Sequence, residues 1–262
     1  MHVPLFQLDA FTRRRFAGNP AAVIVLERFL DEALLQKIAA ENNLSETAFL
    51  VADGDDYRVR WFTPTVEVPL CGHATLASAA VVMERISPGR TRVVFHSASG
   101  PLTVRRTAAG YAMDFPARQS LPVAAPPPLI AALGATPLEV LADRHNYLAR
   151  LESARHVREL APDLAAIAKL DRSGAIVTAA GDGNGFDFVS RYFAPAKGIP
   201  EDPVTGGAHC ALAPYWASAL GKTELRAVQA SARGGELVCR VLGDRVELEG
   251  SCIFYLEGRA EI

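Results

Sequence analysis

Arg60-Trp61-Phe62-Thr63-Pro64 is answered, half of the 262-residue chain later, by Arg191-Tyr192-Phe193-Ala194-Pro195. Each copy then runs through a Pro-bearing stretch to a glycine turn and an alanine-rich segment. These are Leu70-Cys71-Gly72-His73-Ala74-Thr75-Leu76-Ala77 in the first half and Thr205-Gly206-Gly207-Ala208-His209-Cys210-Ala211-Leu212 in the second. Upstream, Glu46-Thr47-Ala48-Phe49-Leu50-Val51 is echoed by Ser173-Gly174-Ala175-Ile176-Val177-Thr178, and both pass through an Asp/Gly turn into the Arg-aromatic-Phe strand. Repetition at this distance reads as one supersecondary plan used twice: helix, strand, hairpin turn, strand, glycine turn, helix. A pseudo-two-fold axis relating two such copies would aim two helix N-termini at one cleft.

The length suits that division, because 262 residues exceed the usual single core and half of them are hydrophobic. Strands are expected at Val3–Phe11, Ala21–Leu26, Ala48–Ala52 and Tyr57–Phe62. Asp31 is placed as the N-cap of a helix running to Ala40 on the stripe Leu34, Leu35, Ile38. His73 to Arg85 is apolar on nearly every side, which predicts a buried helix. Strands Arg92–Phe95, Leu102–Arg106 and Tyr111–Phe115 follow, and Glu236–Leu242, Arg245–Glu249 and Cys252–Glu257 close the chain. The proline-rich stretch Pro116–Pro128 shows no helical pattern and reads as a linker. The expected class is α+β, in two domains, 1–116 and 117–262, each wrapping antiparallel strands around a central helix rather than forming a βαβ sheet.

Several classes of function are disfavoured. Net charge is −2 with scattered Lys and Arg, so nucleic acid is not an expected partner. The N-terminus has no signal-peptide pattern and no stretch approaches the ~20 apolar residues of a membrane span. The four cysteines, Cys71, Cys210, Cys239 and Cys252, contain no C-x-x-C pair. Reduced thiols in a cytoplasmic protein fit that usage. His96, His145 and His156 have no ligand spacing, so no metal is expected. Without a GxGxxG or P-loop, any chemistry is read as cofactor-independent.

Glu46 has apolar neighbours on both sides, which would raise its pKa and make it a usable general acid/base. On local sequence alone, a surface or capping glutamate is the simpler assignment. The two glycine turns place N–H groups of Gly72 and Ala74, and of Gly206, Gly207 and Ala208, where a helix start binds a carboxylate or a developing enolate. His73 and Asp202 flank these turns, the first as a neutral donor or proton carrier, the second as a capping acid or a second carboxylate facing Glu46. Cys71 adjoins Gly72 and would have a lowered pKa if its thiol faced the turn. A two-thiol racemase needs a cysteine at the matching place in the other half, and that place is Thr205.

These passages resemble the phenazine-biosynthesis-like (PhzF) family of the diaminopimelate epimerase superfamily. The matching stretches are Asp9-Ala10-Phe11 with Gly18-Asn19-Pro20-Ala21-Ala22-Val23; Asn43-Leu44-Ser45-Glu46-Thr47-Ala48-Phe49; and Arg60-Trp61-Phe62-Thr63-Pro64 with Glu67-Val68 and Leu70-Cys71-Gly72-His73-Ala74-Thr75. Further on come Glu201-Asp202-Pro203-Val204-Thr205-Gly206 with Ala208-His209-Cys210, and Arg233-Gly234-Gly235-Glu236-Leu237. The resemblance implies a duplicated two-domain fold of β-barrel-like sheets around central helices, the active site between them, with the last strand near 252–262 completing the first domain. It implies homodimers and an isomerase acting by proton transfer on a small carboxylate, Glu46 as acid/base, His73 and Asp202 lining the site, Cys71 and Asn19 as further candidates. Where the family usually has serine after Thr-Gly, this chain has Gly207. A thiol-assisted racemase or epimerase and a non-catalytic metabolite- or protein-binding scaffold are the competing expectations.

Overall fold

The computed structural model describes residues 1–262, which divide into a unit of Met1–Asp114 with Leu248–Ile262 and a unit of Phe115–Glu247. In the first, β1 (His2–Ala10) and β2 (Asn19–Leu26) pair antiparallel, and α1 (Glu32–Asn42) carries the chain back so that β3 (Glu46–Asp53) lies parallel to β2. β4 (Asp56–Phe62) returns antiparallel to β3. After β5 (Glu67–Val68), α2 (Gly72–Val81) leads to β6 (Arg92–Ser97), parallel to β4, and to the meander of β7 (Gly100–Arg106) and β8 (Tyr111–Pro116).

The second unit runs through β9 (Leu121–Pro122), α3 (Pro127–Leu133), β10 (Glu139–Ala142), β11 (Asn146–Arg150), α4 (Ala154–Glu159) and α5 (Leu164–Ile167). It continues with β12 (Gly174–Ala180), β13 (Phe188–Phe193), α6 (Gly206–Leu220), β14 (Glu224–Gln229) and β15 (Gly235–Leu242), and ends within β16 (Arg245–Gly250) at Glu247. The chain closes with β17 (Cys252–Glu261), antiparallel to β1, so residues 248–262 count with the first unit. No helix is long and apolar enough to cross a membrane.

Three sequence expectations need correction. The strands are not all antiparallel: β2–β3, β4–β6, β11–β12 and β13–β14 are parallel. Helices lie between the members of each pair, and a helical crossover returns the chain in its original direction. Pro116–Pro128 is not a bare linker, because β9 pairs with β10 and Pro127 and Pro128 open α3, where a missing N–H costs nothing. Asp31 occupies the N-cap of α1 but its side chain makes no capping bond, and the helix runs on to Asn42.

The continuous apolar runs in β2 and β3 follow from cover on both faces. α1 packs on β3 and β4 through Leu35 and Ile38, while α2 packs on β1, β2, β3, β7 and β17. Every residue of α2 from His73 to Val81 is buried. Its small side chains permit that close approach, and its two hydroxyls are satisfied within the helix: Thr75 Oγ1 donates to the Cys71 carbonyl (2.5 Å) and Ser78 Oγ to that of Ala74 (2.7 Å). In the second unit α6 packs on β14 and β15, with Trp216 stacked on Phe188 at 5.9 Å and its Nε1–H donating to Thr178 Oγ1 at 2.9 Å.

The repeated passage has a mechanical explanation in each unit. Arg60 grips Glu67 through Nε (2.7 Å) and Nη2 (2.6 Å) and lies 5.1 Å over the Phe62 ring. Arg191 grips Glu201 the same way, at 2.7 and 3.0 Å, and lies 4.8 Å over Phe193. A planar guanidinium matches a carboxylate bidentately, so each arginine ties the loop behind its Pro-bearing turn to the strand. That loop leads into α2 or α6 and sets where the helix begins.

His209 gives α6 an acid sensitivity. Its Nδ1–H donates to the Thr205 carbonyl at 2.8 Å, Nε2 is buried without a partner, and burial lowers the pKa from 6.5 to about 4. The folded state therefore resists a proton that the unfolded chain accepts. Its contribution is full above pH 6.5 and is lost as pH falls toward 4, by roughly 3 kcal/mol. Urea midpoints should fall across that window in the wild type and fall less in His209→Asn, whose amide keeps the donor to Thr205.

Candidate active site

Glu46 reaches the interior because of how α1 ends. Asn43 takes a left-handed conformation (φ 47°), its N–H bonding the Ala39 carbonyl at 3.1 Å. Asn42 Nδ2–H donates to Thr47 Oγ1 at 3.1 Å, and Glu46 opens β3 opposite Ala21 of β2. Its side chain is only 11% exposed, which rules out the surface or capping glutamate that local sequence favours.

His73, the second residue of α2, is brought to it by the burial of that helix. Its Nε2 lies 3.1 Å from Glu46 Oε2, and its Nδ1 lies 3.5 Å from Cys71 Sγ. Glu46 Oε2 and His73 Nε2 are close enough to attract, yet neither makes an aligned hydrogen bond. Each keeps hydrogen-bonding capacity in the interior, which calls for an explanation.

Burial pushes the Cys71 thiol pKa up and Glu46 adds to the rise, opposed by His73 and by the Ala74 N–H. Burial, the role the sequence favours for Cys71 and Cys210, is what both have, and for Cys71 it outweighs the lowering that the helix start would bring. For His73, burial pulls downward, but Cys71 and Glu46 at its two nitrogens outweigh it and hold the imidazole well above its ordinary range. The two shifts conflict, since Cys71 raises His73 by charge only as a thiolate, while its own shift keeps it a thiol. The upward direction for His73 therefore rests on the Glu46 carboxylate.

Glu46, Cys71 and His73 each offer a donor atom within 4.8 Å of the others, which makes them the residues able to hold a metal ion. The thiol and the carboxylate, however, meet opposite nitrogens of one ring, and those lone pairs diverge. The trio is a chain rather than a cage.

Cys71 occupies the N-cap of α2 without a capping bond, and Gly72, His73 and Ala74 form the first turn. In the second unit Thr205 is the N-cap of α6 and likewise makes no capping bond; its hydroxyl donates to Asp202 Oδ2 at 2.5 Å. Gly206 and Gly207 follow, while the Ala208 N–H turns back to the Thr205 carbonyl at 3.2 Å. Gln229 braces this turn: its Nε2 donates to the Asp202 carbonyl at 2.6 Å and its Oε1 accepts from the Thr205 N–H at 2.9 Å. Sequence inspection missed Gln229, although an amide at an inward position of the alternating strand Glu224–Gln229 was a signal. Asn19 is fully buried at the start of β2, opposite Ala10 of β1.

At Gly207 a Cβ would meet the Arg118 guanidinium at 3.7 to 3.9 Å, ordinary van der Waals contact. Gly207→Ser should therefore fold with stability within about 0.5 kcal/mol of wild type, as thermal unfolding would show.

The family model for phenazine biosynthesis-like protein, PhzC-PhzF, matches residues 8–258. A protein of Pseudomonas aeruginosa named as an uncharacterized isomerase is 50% identical over 262 residues, 100% of both chains. The crystal structure of a PhzF-family phenazine biosynthesis protein from Enterococcus faecalis superposes with a TM-score of 0.96 at 45% identity, covering 100% of each chain. A hydroxyproline epimerase from Agrobacterium vitis, solved with trans-4-hydroxy-L-proline bound, superposes at 0.63 with 10% identity, covering 99% of this chain and 91% of its own. That last likeness is one of mixed α/β fold alone.

Proposed function

Because this chain belongs to the phenazine biosynthesis-like PhzC-PhzF family, we propose that it is a cofactor-independent isomerase shifting a proton on a small carboxylate-bearing metabolite, with Glu46 as general acid/base. The observation that carries the proposal is a buried carboxylate held 3.1 Å from His73 Nε2, with hydrogen-bonding capacity unused on both atoms. Glu46 takes a proton from carbon and, now an acid, returns it to another carbon of the same molecule, so no cofactor enters the balance. The neighbouring imidazole faces the carboxylate before the first transfer and after the second, the states in which Glu46 carries its charge. First-turn N–H groups of Gly72 and Ala74 suit the substrate carboxylate or an enolate. From the second unit we assign Asp202 to the reaction and Gly206, Gly207 and Ala208 to substrate binding.

The order of parallel and antiparallel pairings is alike in the two units, and supports their origin by duplication. A cytoplasmic homodimer completes the proposal. The thiol-assisted racemase draws support from the 3.5 Å contact of Cys71 with His73, but Thr205, at the matching place, offers a hydroxyl already bonded to Asp202.

The test is deuterium uptake from D₂O into a panel of small cyclic and amino carboxylates, followed by NMR. Uptake with wild type and none with Glu46→Gln is expected. Equal uptake with both would move the base elsewhere.

A further inference from the structure

We propose that Cys71 is a positioning residue for this chemistry: its thiol holds the His73 ring in one orientation while the charge on the ring changes. The inference rests on Glu46 and His73 acting in proton transfer, but concerns a residue to which that transfer assigns no step.

The geometry is a line of three groups. Sγ of Cys71 meets one ring nitrogen at 3.5 Å and Oε2 of Glu46 meets the other at 3.1 Å. A neutral imidazole carries one donor and one acceptor, and a charged one carries two donors. When Glu46 gains or gives up a proton, the pull on the ring changes, so whatever faces Nδ1 must serve both states. A thiol does so, donating S–H to a bare Nδ1 and accepting from Nδ1–H. The Nε2 edge then stays toward Glu46 throughout.

Packing alone does not account for Cys71. It sits at the N-cap of α2, where Ser, Thr, Asp or Asn would bond the helix strongly, whereas a thiol is a weak acceptor for the Ala74 N–H that approaches it. Its sulfur also faces the ring two residues on. Glu46 from β3 faces Nε2 and Cys71 from the residue before α2 faces Nδ1, so removing the thiol leaves Nδ1 without its partner.

Cys71→Ala and Cys71→Ser separate this role from filling space. A hydroxyl is also both donor and acceptor, so Cys71→Ser should keep turnover near wild type, while Cys71→Ala should lose about tenfold in kcat with KM unchanged, the size of one lost hydrogen bond to an ionisable group. Side-chain ¹⁵N NMR of His73, which needs no substrate, should show one ring state in wild type and Cys71→Ser and a mixture in Cys71→Ala. Wild-type kcat together with a single, unshifted His73 ring state in Cys71→Ala would overturn the proposal, as would equal loss in both variants with the ring state unchanged. Because the NMR readout is independent of turnover, activity surviving in Glu46→Gln would defeat the assigned base while leaving the role of Cys71 separately measured.

Discussion

Glu46→Gln is expected to lower turnover by roughly 10²- to 10⁴-fold, the range of a lost general acid/base, with little change in the thermal midpoint. The amide matches the carboxylate in shape and keeps an oxygen toward His73, so the packing of β3 against α2 survives. It cannot take up a proton at carbon. Removing the negative charge also withdraws what holds the His73 proton, so the imidazole becomes neutral rather than remaining an unpaired buried cation. NMR titration of His73 should accordingly give a lower pKa in the variant. Turnover within a few-fold of wild type, in a variant with an unchanged near-ultraviolet dichroism spectrum, would exclude Glu46 as the base.

Gly18→Ala is expected to cost more stability than its size suggests. Gly18 makes the turn into β2 at φ +66°, and a Cβ there would lie 2.2 Å from the Ala10 carbonyl oxygen and 2.7 Å from Thr12 Cγ2. Ala10 pairs with Asn19 across β1 and β2, so its carbonyl cannot yield without opening the ladder. The left-handed conformation costs about 1 kcal/mol by itself, and the backbone clash should bring the loss to roughly 3 kcal/mol or more. A lower urea midpoint with an unchanged slope is the expected record. The damage should extend to activity, because Ala21, two residues past Asn19 in β2, stands opposite Glu46. A variant as stable as wild type would show that the turn has another conformation.

Patterns local in the chain were readable without coordinates. The 3.6-residue stripe of α1, the all-apolar run of α2, the Asp/Gly turn before β4 and the closing strands β15 to β17 appear near their expected places. The paired Arg-aromatic-Phe passages were visible as a repeat, though not as two guanidinium clamps, because Glu67 and Glu201 are recognised as partners only when their loops fold back. Pro116–Pro128 misled because prolines suit a linker and a helix start equally, and the β9–β10 pairing depends on a strand further along the chain. Parallel pairing was hidden for a similar reason: it depends on where each helix crosses, which periodicity does not record.

For the candidate site, the residues alone determined which types of group are present: a glutamate between apolar neighbours, a histidine and a cysteine around a glycine turn, and an aspartate before a second one. Only the tertiary structure decided that Glu46, His73 and Cys71 form one line, with the carboxylate on one ring nitrogen and the thiol on the other. Local preference would have left Glu46 at the surface. Enclosure of α2 by five strands overrode that preference, because burying that helix on every side carries its first turn into the interior, where β3 begins.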